Sequence, residues 1–203
     1  MSRVCELAEA MVERRALMVG EFTLTSGRKS RFYLDLRRLL GDPESFSRTV
    51  EMLLDKAREL EPYETVVGLA TAGIPWATAI ALLSGKKLAY ARSEVKEHGT
   101  RSSVEGLLEG EETRCILVDD VATTGGTIER AARTLRDSGV CRVEAALVIL
   151  DRLQGARENL EKAGVKLHAV ATIADVVECL AKRGLLDEKT AEAILSETRQ
   201  TKS

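Results

Sequence analysis

At 203 residues, 44% of them apolar, the chain can bury one full core and does not need a second domain. Its formal charge of −2 and pI near 5.9, with Lys and Arg spread along the sequence, leave no electrostatic footprint for a nucleic acid or an anionic membrane. No apolar run approaches the roughly 20 residues that span a bilayer, and the opening "MSRVCELAEAMVERR" reads as an amphipathic helix rather than a signal sequence, so a cytoplasmic protein is expected.

Val4, Leu7, Ala8, Met11, Val12 and Leu17 recur at helical spacing, which predicts a helix over 3–18. "GEFTLTSGRKSRFYLDLRRLL" alternates around Ser26-Gly27 and predicts two short strands with a turn between them. Asp42-Pro43 starts a helix running to about Leu60, with proline in its first turn. From Thr65 strands and helices alternate: "TVVGLA", "PWATAIALLSG", "KLAYAR", then after a polar stretch "RCILVDD", "TIERAARTLRDSG", "RVEAALVILD", a short helix near Glu158, and "KLHAVATI". Several of these strands are apolar at nearly every position, as strands buried on both faces are. The fold class expected is therefore α/β, a central, mainly parallel sheet flanked by helices. The tail from Ala174 to about Thr198 reads as two helices broken at Gly184. No repeat or linker divides the chain, and one domain over 1–203 is expected.

Cys5, Cys115, Cys141 and Cys179 form no CxxC pair and sit in apolar patterns, as expected of reduced core thiols. One Asn and two Gln against many Glu, Arg and Lys is a bias that suits a thermophile. His168, in the strand "KLHAVATI", reads as structural. "SEVKEHGTRSSVEGLLEGEE", about 20 residues without a regular period, is of the length that is usually functional or disordered in a compact domain.

The chemistry concentrates in "CILVDDVATTGGTIERAARTL". Asp119 and Asp120 fall at the carboxyl end of a strand, where open parallel sheets bind ligands. Gly125 and Gly126 let the following backbone curl, Thr123, Thr124 and Thr127 offer hydroxyls, and successive N–H groups at a helix start cradle a phosphate. Neither the Walker A pattern nor GxGxxG is present. Two acids ahead of a phosphate cradle suit the hydroxyls of a sugar carrying that phosphate, and ribose 5-phosphate fits the layout.

"ILVDDVATTGGTI" resembles the phosphoribosyl-pyrophosphate (PRPP) motif of type I phosphoribosyltransferases. "EFTLTSGRKSRFYLDLR" resembles the N-terminal hood of the orotate phosphoribosyltransferase family, "ARSEVKEHGTRSSVEG" its mobile catalytic loop, "GLATAGIPWA" its pyrophosphate-side loop and "ILDRLQGARENL" its Asp-Arg segment. The resemblance covers nearly the whole chain in order. It implies the type I phosphoribosyltransferase fold, with an N-terminal helix and hood over about 1–40 and the mobile loop over about 93–112. It also implies transfer of ribose 5-phosphate from PRPP to orotate, giving orotidine 5′-monophosphate and pyrophosphate in pyrimidine synthesis.

The family's positions put PRPP on Arg92, Lys96, His98, Asp119, Asp120, Val121, Ala122, Thr123, Thr124, Gly125, Gly126 and Thr127, and orotate on Thr123 and Arg152. Arg92, Lys96 and His98 would be catalytic, bringing a fork of donors, a point charge and a titratable imidazole to the departing pyrophosphate. Taken alone, Lys96 and His98 read as solvated loop residues, and Arg152 as a strand-end ion pair with Asp151 or Glu158. Tyr33 would shape the hood or simply pack. Mg²⁺ is expected on PRPP itself, with no protein residue named as a ligand. A homodimer sharing the loop across subunits is implied, with no nucleic acid and no membrane as partner. Ser93, Thr25 and Ala72 stand where family members often carry Lys, which motivates the alternative of a PRPP-binding regulator with little or no turnover.

Overall fold

The computed structural model describes residues 2–23, 27, 29–92, 104–106, 110 and 112–200. Helix α1 (Arg3–Glu13) leads into a two-stranded antiparallel sheet, β1 (Leu17–Thr23) and β2 (Lys29–Leu34), and a 3₁₀ turn over Leu36–Gly41. Helix α2 (Pro43–Arg58) starts as its sequence dictates: the Asp42 carboxylate accepts the Ser45 N–H at 2.9 Å, and Pro43 takes the first turn, where no N–H is needed. There follow β3 (Thr65–Leu69), α3 (Gly73–Ser84), β4 (Lys87–Ala91), β5 (Val104–Glu105), β6 (Arg114–Ala122), α4 (Gly126–Asp137), β7 (Arg142–Asp151), α5 (Ala156–Lys162), β8 (Lys166–Thr172), α6 (Ile173–Lys182) and α7 (Glu188–Gln200).

The second sheet has the order β5-β4-β3-β6-β7-β8, parallel throughout except for β5, which pairs antiparallel with β4. Strand alternation divides its apolar residues between two cores. Val66, Ile116, Val118, Leu147 and Ile149 pack with α1, α2, α3 and α6, whereas Val67, Leu117, Ala146 and Val148 pack with Ile128 and Leu135 of α4 and Leu160 of α5. Each central strand is apolar on both faces because each face carries a helical layer.

Two expectations need correction. The first helix ends at Glu13, not near residue 18: Arg15 takes φ 55°, and Leu17 opens β1. Leu17 fits helical spacing by coincidence, and its burial is that of a strand residue packed on the same core. Second, Cys5 and Cys179 are joined in a disulfide across α1 and α6, with 5.2 Å between their Cα atoms. Each lies in an amphipathic helix, and only the docking of those helices brings them face to face. Cys115 and Cys141 are buried free thiols, as expected. His168 lies half-buried on β8, its imidazole pKa lowered by burial and then by the nearby Lys166 and Arg157 charges, which fits a structural role.

Candidate active site

Strand order fixes where a ligand can sit. The chain runs from β3 outward to β4 and then returns to the other side of β3 as β6, so the connections leaving β3 and β6 diverge and open a crevice at their carboxyl ends. The loop after β3 and the start of α3 form one wall, and the loop after β6 forms the other. The walls meet closely: a Cβ on Gly73 would lie 2.1 Å from the Val118 carbonyl oxygen, so a side chain there would push α3 away from β6.

Beyond β6 the chain turns through Thr123 and Thr124, both exposed, into α4. Gly125 takes φ 84°, and a Cβ there would lie 2.9 Å from Leu160 Cγ, so glycine meets both a backbone and a packing requirement. The loop is braced from behind by Asn159 of α5, whose Nδ2 donates to the Thr124 carbonyl at 3.0 Å. A cavity of about 140 Å³ opens here, lined by Asp119, Thr123, Thr124, Gly126, Thr127 and Arg130 among others. Arg130 Nη2 donates to Thr127 Oγ1 at 3.3 Å. Exposed hydroxyls, the first N–H groups of α4 and a guanidinium one turn along make this a phosphate-sized anion cradle.

The two acids sit half-buried on its lip. Each carboxylate accepts the N–H of the next residue, Asp119 from Asp120 at 2.9 Å and Asp120 from Val121 at 2.8 Å, which fixes both side chains. Burial, with the neighbouring Asp120 charge adding to it, pushes the Asp119 carboxyl up to about 7. Asp120 is also raised by burial, an effect opposed by the Val121 N–H and the positive charge of Arg37. Arg37 is in turn held by Asp35, with Nε to Oδ1 at 2.6 Å. Like charges confined side by side bind protons readily, and they equally favour a ligand that brings hydroxyl donors or positive charge.

Arg152 follows β7 and reaches the same end of the sheet. Its N–H donates to the Ala122 carbonyl at 2.9 Å, and its guanidinium is buried over the Phe32 ring, 4.5 Å from the centroid. The ion pair with Asp151 belongs to a different residue: Arg157 Nε donates to Asp151 Oδ2 at 2.7 Å. At the far edge, Arg92 follows β4 and its Nη2 pairs with Glu105 of β5.

The Phosphoribosyl transferase domain model matches residues 45–184. The chain is 45% identical to the orotate phosphoribosyltransferase of Aeropyrum pernix over 86% of this chain and 92% of the relative. The chain belongs to the orotate phosphoribosyltransferase family. A crystal structure of the Aeropyrum pernix orotate phosphoribosyltransferase superposes with a TM-score of 0.78 at 44% identity, covering 89% of this chain and 99% of that one. The Mycobacterium tuberculosis orotate phosphoribosyltransferase in complex with PRPP superposes with a TM-score of 0.69 at 29% identity, covering 86% and 98%.

Against that family frame, the fold brings Asp119–Thr127 together at one crevice, with the Arg152 backbone bonded to its wall. Arg92 follows β4, one strand beyond β3 and beside the edge strand β5. Lys96, His98 and Ser93, and in the hood Thr25 and Ser26, lie outside the described residues. Tyr33 packs within the hood, 5.8 Å from the Phe22 ring centroid. Sequence reasoning missed Arg130, Asn159, Arg37 and Phe32. Arg130 was within reach, since it stands three residues from Thr127 on the same helix face. Asn159, Arg37 and Phe32 act from elements distant in sequence, and no local pattern marks them.

Proposed function

We propose that this chain transfers the 5-phosphoribosyl group of PRPP to orotate, giving orotidine 5′-monophosphate and pyrophosphate for pyrimidine synthesis. The observation that carries this reading is the pair of fixed acids beside an anion cradle at the sheet's switch point, in a chain related over most of its length to orotate phosphoribosyltransferases.

In this reading the Gly125–Thr127 backbone, Thr124 and Thr127 hydroxyls and the α4 N-terminus hold the 5-phosphate, with Val121, Ala122 and Thr123 forming the turn beneath it. Asp119 and Asp120 accept hydrogen bonds from the ribose hydroxyls and orient the anomeric carbon. Arg152 grips the orotate carboxylate as a fork, and Thr123 borders the base. The displacement passes through an oxocarbenium-like state, so catalysis consists mainly of alignment and of neutralising the departing pyrophosphate. Arg92, Lys96 and His98 supply that charge, and closure of the 93–112 loop excludes water.

Among the described residues no group of three His, Cys, Asp or Glu side chains is placed to hold a metal by itself. Asp119 and Asp120, two adjacent carboxylates, would suit an ion carried mainly by substrate oxygens and water. Mg²⁺ bound with PRPP would neutralise pyrophosphate charge there.

A homodimer is part of the proposal. Leu82 and Leu83 of α3 are 80% and 64% exposed, and Leu88 of β4 is exposed beside them in sequence. Exposed large apolar side chains on the helix and strand that lead to Arg92 suit a second copy whose loop completes the site. A cytoplasmic location is part of the same proposal and rests on the family reading; separately, among the described residues no helix is long and apolar enough to cross a membrane.

The test is an assay of pyrophosphate release with PRPP, Mg²⁺ and a panel of bases. Release that requires orotate is expected. Equal or better turnover with a purine overturns the base assignment, and tight PRPP binding without turnover on any base favours the regulator.

A further inference from the structure

An isolated two-stranded sheet is marginal in water, so the hood hairpin β1–β2 must be held from outside. Part of that hold is apolar, through Leu17 and Phe32 in the main core. The polar part comes from α7, at the other end of the sequence. Glu197 Oε2 accepts the Arg31 N–H at 2.8 Å, and Oε1 accepts the hydroxyl of the buried Ser30 at 2.7 Å. One carboxylate thus takes two donors from consecutive residues of β2, a charge-assisted bidentate contact 166 residues apart in sequence. While its proton goes to Glu197, the Ser30 oxygen accepts the Phe32 N–H at 3.4 Å, which ties the same carboxylate to the residue that matters next.

Phe32 is fully buried, and its ring is the face on which the Arg152 guanidinium rests. A guanidinium over an aromatic face is held in plane and in place, and a shift of the ring moves the fork of donors with it. The Arg152 backbone is anchored to Ala122 at the phosphate loop, and the Phe32 ring of the hood is a surface its guanidinium rests on.

We propose that Glu197 is a positioning residue for the base subsite: by clamping Ser30 and Arg31 it fixes Phe32, and through that ring it sets the geometry in which Arg152 meets the carboxylate of the acceptor base. This deepens the transferase reading above and rests on it. PRPP binding, which in this reading draws on β6, the following loop, α4 and the Arg92, Lys96 and His98 positions, lies outside the relay.

Steady-state kinetics with each substrate varied in turn test the inference. Glu197→Ala is expected to raise KM for orotate roughly tenfold, the scale of one weakened charge-assisted contact, while KM for PRPP changes by less than about twofold. Glu197→Gln, whose amide oxygen still accepts the Arg31 N–H, is expected to recover part of the loss. Phe32→Leu should raise KM for orotate similarly, and adding Glu197→Ala to it should cost little more, because the two act in series. Should Glu197→Ala lose its cooperative melt, Ser30→Ala removes one donor, keeps the packing and carries the same expected split. A wild-type chain with no orotate-dependent pyrophosphate release overturns the functional reading and this inference with it. An active wild type whose folded Glu197 variant keeps its orotate KM, or raises both KM values alike, overturns the inference alone.

Discussion

Asp119 illustrates how much a single side chain owes to its surroundings. A carboxyl pushed up to about 7 is largely protonated in slightly acidic solution, and a protonated acid offers a sugar hydroxyl one acceptor fewer. PRPP affinity is therefore expected to weaken as pH falls through about 7. The stability linkage runs the other way. A group whose folded pKa is raised contributes stability at low pH and loses it as pH rises through the folded value, so the ligand-free site is held at a cost above about pH 7. Asp119→Asn should flatten the pH dependence of PRPP binding and weaken that binding about tenfold at pH 8, the scale of one hydrogen bond to a charged group. Titration calorimetry of both proteins from about pH 6 to 8.5 measures the difference. Parallel curves for the two proteins would remove Asp119 from the ribose site.

Helices α1 and α6 owe part of their union to a covalent bond. The disulfide spans 174 residues of sequence, so it restricts the unfolded chain over most of its length. Cys5→Ser is expected to lower stability by about 2–4 kcal/mol while leaving PRPP kinetics intact, since α1 and α6 pack on the face of the sheet away from α4. Thermal melts of the variant, and of the wild type with and without reductant, give the check; coincident melts would mean the bridge adds nothing. A disulfide in a chain expected in the cytoplasm fits the charge-rich, Asn-poor composition, because intracellular proteins of hyperthermophiles are the known exception to thiol reduction. Surface ion pairs such as Arg3–Asp55, Arg48–Glu44 and Arg183–Glu9 contribute little one by one, and they matter more as a network at high temperature.

For the whole molecule the decisive question is how many chains make a site. The exposed leucines of α3 precede β4 and Arg92 in sequence, and in the proposed homodimer a second copy covers them. If the proposed homodimer forms through these leucines, replacing Leu82 and Leu83 together by Glu is expected to shift the chain to monomer in sedimentation and to abolish most turnover, with the fold intact because both side chains are exposed. A fully active monomer would refute the sharing of the loop across subunits.

The sequence by itself determined what short-range chemistry writes down. The doubly apolar strands required a covered parallel sheet, Asp42-Pro43 set the start of α2, and the acids at the end of β6 with the glycines after it marked a candidate phosphate cradle. Each is encoded within a few residues, by periodicity, capping or backbone freedom. The tertiary structure alone decided the pairings between distant segments: Cys5 with Cys179, Asn159 behind the phosphate loop, Arg37 facing Asp120, and Glu197 gripping the strand whose Phe32 supports Arg152. Arg152 shows the division most clearly. Its neighbours in sequence suggested an ion pair with Asp151 or Glu158, yet Arg157 took the Asp151 carboxylate and the Arg152 guanidinium lies over a ring of the hood, because a contact is chosen by which surfaces the fold brings together.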